Sequence, residues 1–350
     1  MQGTQRFIDI GAVEAWDAWF RWRQDGELRD VSIEQTWSRV AGALAAPEQP
    51  GQAAPFQRQL VDALLGWKLL PDERIAASAG TAAPAWPDDG LVAVLNAANF
   101  VYRRFDAAAG FDHAAFAATA ALAVRMLDNA ALLAGRRAVR ARSHARIGLV
   151  GLADALYFLG LPYDSPAACA QARRIAHSLA EGCLQGDLQL ARERGGHPVP
   201  EATPAAPAPA WRAVFDQEQR RHGRRHARLT AIGSQRRLAL LANNVADAVD
   251  PLCSSCAAGD MPCSAAARTK SPAGYAFILA RRRLAADGST RVPACTPVTA
   301  AAQLDMRAAM QAWIDQPIDY PLAHPGRDAC MVSRDDRSVA GTHGQTRAEA

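Results

Sequence analysis

The sequence predicts a mainly α protein with α/β portions, in which an N-terminal helical region leads into a mixed segment. Three observations carry that expectation. Apolar residues recur at spacings of three and four in several long stretches, capping signals stand ahead of those stretches, and only a few short apolar runs bounded by Gly, Pro or Asp read as strands.

Composition sets the outer limits. With 350 residues, 49% of them hydrophobic and 21% charged, the chain is long enough for one large domain or two smaller ones. Its formal charge of +4 is too small over this length to imply nucleic acid, and the basic side is almost all arginine, Lys68 and Lys270 being the only lysines. The Met1 region lacks a basic segment followed by an apolar run, so no signal peptide is expected, and no run of about 18 apolar residues suggests a transmembrane helix. The expectation is a cytoplasmic protein whose seven cysteines are mostly reduced.

Residues 14–30 interleave Trp16, Trp19, Phe20 and Trp22 with charges and break at Asp25-Gly26, which reads as a packed helix end rather than a base-stacking surface. Ser32 and Gln35 form a capping-box pattern ahead of Ile33, Trp37, Val40, Ala41 and Leu44 at helical spacing. After a loop at Pro47, Pro50 and Gly51, Phe56 to Leu70 reads as a second amphipathic helix. Leu91 to Val101 reads as a buried strand and turn, and Phe111 to Leu133 as a long helix capped by Asp112. Asp128 and Asn129 in that helix are expected to make local hydrogen bonds. The five arginines of Arg136 to Arg146 read as a solvated connector, with phosphate contact as the alternative.

Leu152 to Leu159 is a short helix stopped by Gly160, and Ser165-Pro166 opens a long one in which Cys169, Ala172, Ala176, Leu179, Cys183, Gly186 and Leu190 face one side. Cys169 and Cys183 are therefore small core residues. The helix ends in charges and glycines from Arg192 to Gly196, and residues 197–210 form a Pro/Ala linker. In the basic window Gln219 to Arg228, no aromatic is interleaved, so nucleic acid is not the expected partner. Glu218, His222 and His226 have helical metal spacing, but Gly223 and the arginines argue against a metal, and none is expected. Tyr275 to Ala280 reads as a strand-like piece and Gln303 to Ile314 as a helix; the tail from residue 326 is expected to be disordered.

One stretch carries more than its helical pattern. After Arg146, the order Ile147-Gly148-Leu149, Gly151-Leu152-Ala153-Asp154 and Leu161-Pro162-Tyr163-Asp164-Ser165 resembles the large chain of ribonucleotide reductases, especially the adenosylcobalamin-dependent class II enzymes. A second stretch, with Leu240, Leu241, Ala242, Asn244, Val245 and Pro251 in step and Asp250 keeping an acidic position, is similar to the same family. Weaker likenesses lie at Trp16 to Asp30, in the Ser32 helix, at Leu70 to Thr81, at Met126 to Asn129 and at Asp319-Tyr320-Pro321. The glycine turn at Gly148 to Gly151 is two residues shorter than the family's, and no Asn-x-Cys-x-Glu loop occurs in the chain.

The resemblance implies an incomplete ribonucleotide-reductase-like α/β barrel after the N-terminal helices, with residues 1–75 helical, 76–196 a barrel-like helical segment, 197–210 the linker, 211–325 a second reductase-like segment and 326–350 the tail. It implies a link to deoxyribonucleotide synthesis, adenosylcobalamin as the family's cofactor, nucleotides as ligands, and a homologous or complementary reductase chain as partner; no membrane is implied. Ser234, Gln235 and Arg236 stand where the family has the Pro-Thr-Gly turn that holds the substrate phosphate. Loss of that glycine puts backbone cradling in question, while Arg236 still attracts anions. Cys253 and Cys256, with Cys263 nearby, read either as redox thiols, as incidental thiols or as part of a metal site. The class II reaction needs a radical cysteine, a redox pair and a carboxylate, and no residue here carries over as any of them. Two readings follow: a reductase-like chain that is not active alone, or a non-catalytic descendant that binds a nucleotide or a protein. An arginine-rich nucleic-acid binder is the lesser third.

Overall fold

The computed structural model describes residues 6–87, 90–135, 144–198, 210–252, 274–286 and 298–323. The N-terminal region is helical, as expected. Asp9 caps α1 (Ile10–Ala15), and a π-turn over Trp16–Phe20 follows it. The chain then folds back through a hairpin of β1 (Arg23–Gln24) and β2 (Glu27–Leu28). Asp25 and Gly26 both have positive φ there, as a two-residue turn matched to strand twist demands.

Ser32 caps α2 (Ile33–Ala45) by accepting from the Gln35 amide. The next helix, α3 (Pro50–Leu65), begins six residues earlier and ends five earlier than Phe56 to Leu70. Pro50 is tolerated at the first helical position, and Gly66 with Trp67 at φ 51° ends the helix. This frees Leu69–Pro71 to form β3, a strand too short to show a period in sequence.

After α4 (Glu73–Ser78) come β4 (Val92–Asn96), a 3-10 turn over Ala97–Phe100, and the small pair β5 (Val101–Tyr102) and β6 (Gly110–Phe111). Asp112 caps α5 (His113–Leu133), which crosses to β7 (His144–Val150). Then α6 (Leu152–Phe158), α7 (Pro166–Arg194) and α8 (Ala210–His222) lead to β8 (Arg228–Thr230). The last described helices are α9 (Arg236–Leu241), α10 (Tyr275–Ala286) and α11 (Ala300–Gln311).

The central sheet has the order β3-β4-β7-β8, with β3 antiparallel to β4 and the other three strands parallel. Long crossover helices between parallel strands are the α/β signature, and among the described residues the sheet does not close into a barrel. Both of its edges are nonetheless covered. On one side every residue of β3 is buried. On the other, the Asp315 carboxylate accepts from the amides of Leu229 (2.8 Å) and Thr230 (3.2 Å), and the Gln316 amide donates to the Thr230 carbonyl (3.2 Å).

Two expectations need correcting, the strand at Tyr275 to Ala280 and the local bonds of Asp128 and Asn129. Tyr275–Ala286 is a helix, not a strand: a run of six apolar residues does not separate the two, and Tyr275, Ala276, Phe277 and Ala280 are buried at helical spacing. The α5 helix is long and apolar enough to cross a membrane by length and composition, but 61% of its most apolar stretch is buried inside the fold, so it serves here as a core helix. Asp128 and Asn129 do not make local hydrogen bonds. Asp128 receives Arg194 Nη1 (2.5 Å) and Arg225 Nε (2.7 Å), while Asn129 donates to the Leu44 carbonyl and to Glu48. Cys169 is half-buried and Cys183 fully buried on α7, as core residues should be.

Candidate functional site

Parallel strands gather their following loops at their C-terminal ends, where α/β folds place their chemistry. Here those ends are Asn96 of β4, Val150-Gly151 of β7 and the turn after Thr230 of β8. The two glycines of the Ile147 to Asp154 stretch have separate steric reasons. A Cβ on Gly148 would meet the Ala231 carbonyl at 2.5 Å, so glycine lets the end of β8 lie against β7. Gly151 has φ 69°, and a Cβ there would meet Asn96 Oδ1 at 2.4 Å.

Asp154, one turn further, is completely buried. Its Oδ2 accepts from the Ala246 amide (2.7 Å) and its Oδ1 from the Ala276 amide (3.0 Å), so one carboxylate ties the loop after α9 and the start of α10 to α6. Burial pushes its pKa up to about 6 against the opposing effect of those two amides. In the sequence this residue was legible only as part of a resemblance. Its task is to hold backbone.

The three expected phosphate-turn residues do come together, around a carboxylate. Ser234 Oγ donates to Asp247 Oδ2 (2.5 Å), the Gln235 amide donates to Asp247 Oδ1 (2.6 Å), and Arg236 Nε lies 3.9 Å from Asp247 Oδ2. The donors that a phosphate would use are thus engaged by an internal acid. Burial raises the Asp247 pKa, opposed by the Ser234 and Gln235 bonds and by the charge of Arg236.

The loop that delivers Asp247 is bent through left-handed residues at Asn243, Asn244 and Ala248. Asn243 uses its side chain to accept from the Ile8 amide (2.7 Å), which fixes the loop to the N-terminus. Next to Asp247 lies Asp250, whose pKa is pushed up to about 6 by burial and by the neighbouring Asp247 charge. Arg307 Nη2 stands 3.8 Å from it. The Arg307 guanidinium stacks 3.9 Å over the Tyr320 ring, while Tyr163 donates to the Val249 carbonyl (2.5 Å). Sequence reading placed the donors of this turn but missed Asp247. The signal available was the acid three residues before Asp250, facing a turn that had lost its glycine.

Cys253 and Cys256 lie outside the described residues, as do Cys263, Cys295, Cys330 and Arg136 to Ser143. His222 Nε2 lies 3.8 Å from Glu218, and His226 turns inward to Asp187 (2.8 Å), so the helical spacing of Glu218, His222 and His226 does not bring the three side chains together. No group of three potential ligands occurs among the described residues. In the basic window Arg225 and His226 are buried, and Arg224 pairs with Asp187 at 3.2 Å. Arg224 and Arg225 are thus held by the buried acids Asp187 and Asp128 in the segment that leads into β8.

Residues 90–255 match the ribonucleotide reductase barrel domain. The vitamin B12-dependent ribonucleoside-diphosphate reductases of Mycobacterium tuberculosis strains CDC 1551 / Oshkosh and ATCC 25618 / H37Rv are both 30% identical over 116 residues. That match covers 33% of this chain and 15% and 14% of the respective relatives, so only a small part of their length is represented. Among solved structures, the Actinobacillus ureae class Id ribonucleotide reductase alpha subunit aligns at a TM-score of 0.41 and 16% identity, covering 70% of this chain and 46% of that one. Through residues 90–255, which carry the barrel-domain match on a helix-rich frame whose described sheet is open, this is a ribonucleotide-reductase-like chain.

Proposed function

We propose that this chain serves deoxyribonucleotide synthesis as a reductase-like protein that does not itself reduce ribonucleotides. The observation that carries this reading is the Asp247 carboxylate, bound by Ser234 Oγ and the Gln235 amide at the turn where the resemblance implies substrate phosphate. A phosphate brought there competes with a carboxylate for the same donors and meets its charge at short range.

Adenosylcobalamin supplies radical chemistry when bound to enzymes of the class that this chain resembles, and the protein must then set thiols against the ribose. The described residues do not fit that requirement. Their cysteines, Cys169 and Cys183, both lie on the crossover helix α7, and Cys183 is wholly buried with its thiol pKa raised by burial. The covered edge of β8 supports the same reading, because a complementary chain adding further strands there would first have to displace Asp315 and Gln316. A nucleotide- or protein-binding role without catalysis is the alternative, and it leaves these groups undisturbed.

The test is direct. Purified chain incubated with adenosylcobalamin, ribonucleoside di- and triphosphates and a dithiol is expected to form no deoxyribonucleotide. Product formation dependent on the chain overturns the proposal. Repeating the assay with an active B12-dependent reductase present checks the partner role, which predicts a changed rate at fixed reductase concentration.

A further inference from the structure

At the N-terminal ends of β7 and β8, opposite the turn at Ser234, a cleft of about 690 Å3 opens beside the C-terminus of α7 and the start of α3. That volume suits a small molecule, for which sites run roughly 300–1,000 Å3. Arg194 and Arg225 line it together with Glu48, Gln49 and Gln52.

Arg225 is only 6% exposed. Its Nε donates to Asp128 (2.7 Å), and its Nη1 to the carbonyls of Arg194 (3.0 Å) and Gly195 (3.2 Å). Nη2 makes no hydrogen bond among the described residues. A guanidinium carries five N–H donors in a fixed fork, and Nη2, which is not one of the buried unpartnered atoms among the described residues, is open to water or to an acceptor in the cleft.

A second donor source meets it. The sixteen-residue helix α3 starts at Pro50 behind Gln49, and no side chain caps it. The Gln52 and Ala53 amides already donate to the Gln49 carbonyl, so what the start of α3 offers the cleft is the positive end of its dipole and the exposed side-chain amides of Gln49 and Gln52, which line it. The nearby carboxylates are already matched: Asp128 by Arg194 and Arg225, Glu48 by Arg125 and Arg194, and Glu193 by Arg125. No uncompensated negative charge remains among them to repel an anion.

We propose that this cleft binds a small molecule through an oxyanion, either a carboxylate or a phosphate group, with Arg225 Nη2 as the anchor and the start of α3 as the second donor. The proposal is independent of whether the chain reduces ribonucleotides. It concerns the opposite end of the sheet from the Asp247 turn.

The test is calorimetric titration of the full chain with orthophosphate, acetate and adenosine monophosphate, alongside thermal melting. Saturable binding of at least one is expected; orthophosphate without acetate assigns a phosphate site, and acetate without orthophosphate a carboxylate site. Gln52→Glu puts a carboxylate into the cleft while leaving an acidic residue in the first turn of a helix, where it is favourable, so Tm should hold. That variant should weaken binding by about tenfold or more. Arg225→Lys, which keeps the charge facing Asp128 but loses the fork, should weaken it as well. The proposal is overturned if none of the three ligands binds saturably below about 10 mM, a generous limit for a small-anion site. Binding that Gln52→Glu leaves unchanged overturns it equally.

Discussion

Asp315 and Thr230 bind each other twice: the Asp315 amide donates to Thr230 Oγ1 (2.8 Å), and the Thr230 amide donates to Asp315 Oδ2 (3.2 Å). This reciprocal pair sits on the outer edge of the last parallel strand, where an incomplete barrel would otherwise present unpaired backbone. Open edges invite strand addition from other chains. Here an aspartate from the segment after α11 fills the donors, and its charge discourages a second strand. Asp315→Ala should therefore expose the β8 edge and produce concentration-dependent association beyond that of the parent chain. It should also lower stability by about 1–3 kcal/mol, the usual cost of leaving a buried donor without a partner. Light scattering across a dilution series checks the first part; a variant that scatters like the parent removes the edge-blocking role.

The turn at Ser234 offers a converse experiment. If Asp247 excludes phosphate by engaging the Ser234 hydroxyl and the Gln235 amide, then Asp247→Ala should free both donors and remove a negative charge beside Arg236. Orthophosphate affinity at this turn should rise by about tenfold or more, equivalent to roughly 1.4 kcal/mol. The measurement is best made in a Gln52→Glu background, which keeps the cleft near Arg225 from contributing. An affinity no higher than the parent's would show that lost backbone geometry, rather than the carboxylate, keeps phosphate away.

Asp154 gives the pH dependence a sign. Its pKa is about 6 in the folded chain against an ordinary value of 3.8, so the folded state takes up the proton first as pH falls. The associated stability is fully present below about pH 3.8 and is lost as pH rises through about 6. Asp154→Asn removes that titration. It also turns an NH2 towards one of the two amides, Ala246 or Ala276, that the carboxylate now accepts. The variant should be less stable than the parent by about 1–3 kcal/mol at neutral pH. Between pH 4 and 6, the parent should gain stability relative to the variant as pH falls, read from urea midpoints at several pH values. A parent-minus-variant difference that is flat across that window would sink the assignment.

Local chemistry was legible in the sequence and long-range chemistry was not. The caps Ser32, Asp112 and Ser165 were visible because a cap and its helix are neighbours in the chain. The strand at Val92–Asn96 was visible because an apolar run follows directly on Pro87 and Gly90. Leu69 and Leu70 read as the end of a helix, since a three-residue strand shows no period, and Tyr275 to Ala280 read as strand because a short apolar run does not separate strand from helix. At the turn, sequence named Ser234, Gln235 and Arg236 but not the carboxylate they face, because that acid arrives from beyond α9 through left-handed backbone at Asn243, Asn244 and Ala248. The buried arginines were hidden most completely. Arg225 is 97 residues from Asp128, and nothing in a basic window says which of its members turn inward.

That buried pair supports the last prediction. Burial works against the charged form of Asp128, but hydrogen bonds and charge from Arg225, the His226 charge and the Arg194 bond outweigh it and hold its pKa below the usual carboxylate value. The sign is opposite to that of Asp154: this stability is present above the unfolded value of 3.8 and is lost as pH falls through the lower folded value. Asp128→Ala leaves Arg225 buried and short of its partner, which should cost about 3–5 kcal/mol, the range for breaking a buried pair from one side. Removing both charges with Asp128→Leu and Arg225→Met should restore much of that loss, since an apolar pair of similar volume needs no compensating charge. The same double variant should lose any binding in the adjoining cleft, because its anchor nitrogen is gone. Denaturant midpoints of the single and double variants, with the ligand titration repeated on the double, separate the two roles of Arg225. A double variant less stable than Asp128→Ala would mean that Arg225 also supports the fold through the Arg194 and Gly195 carbonyls it now holds.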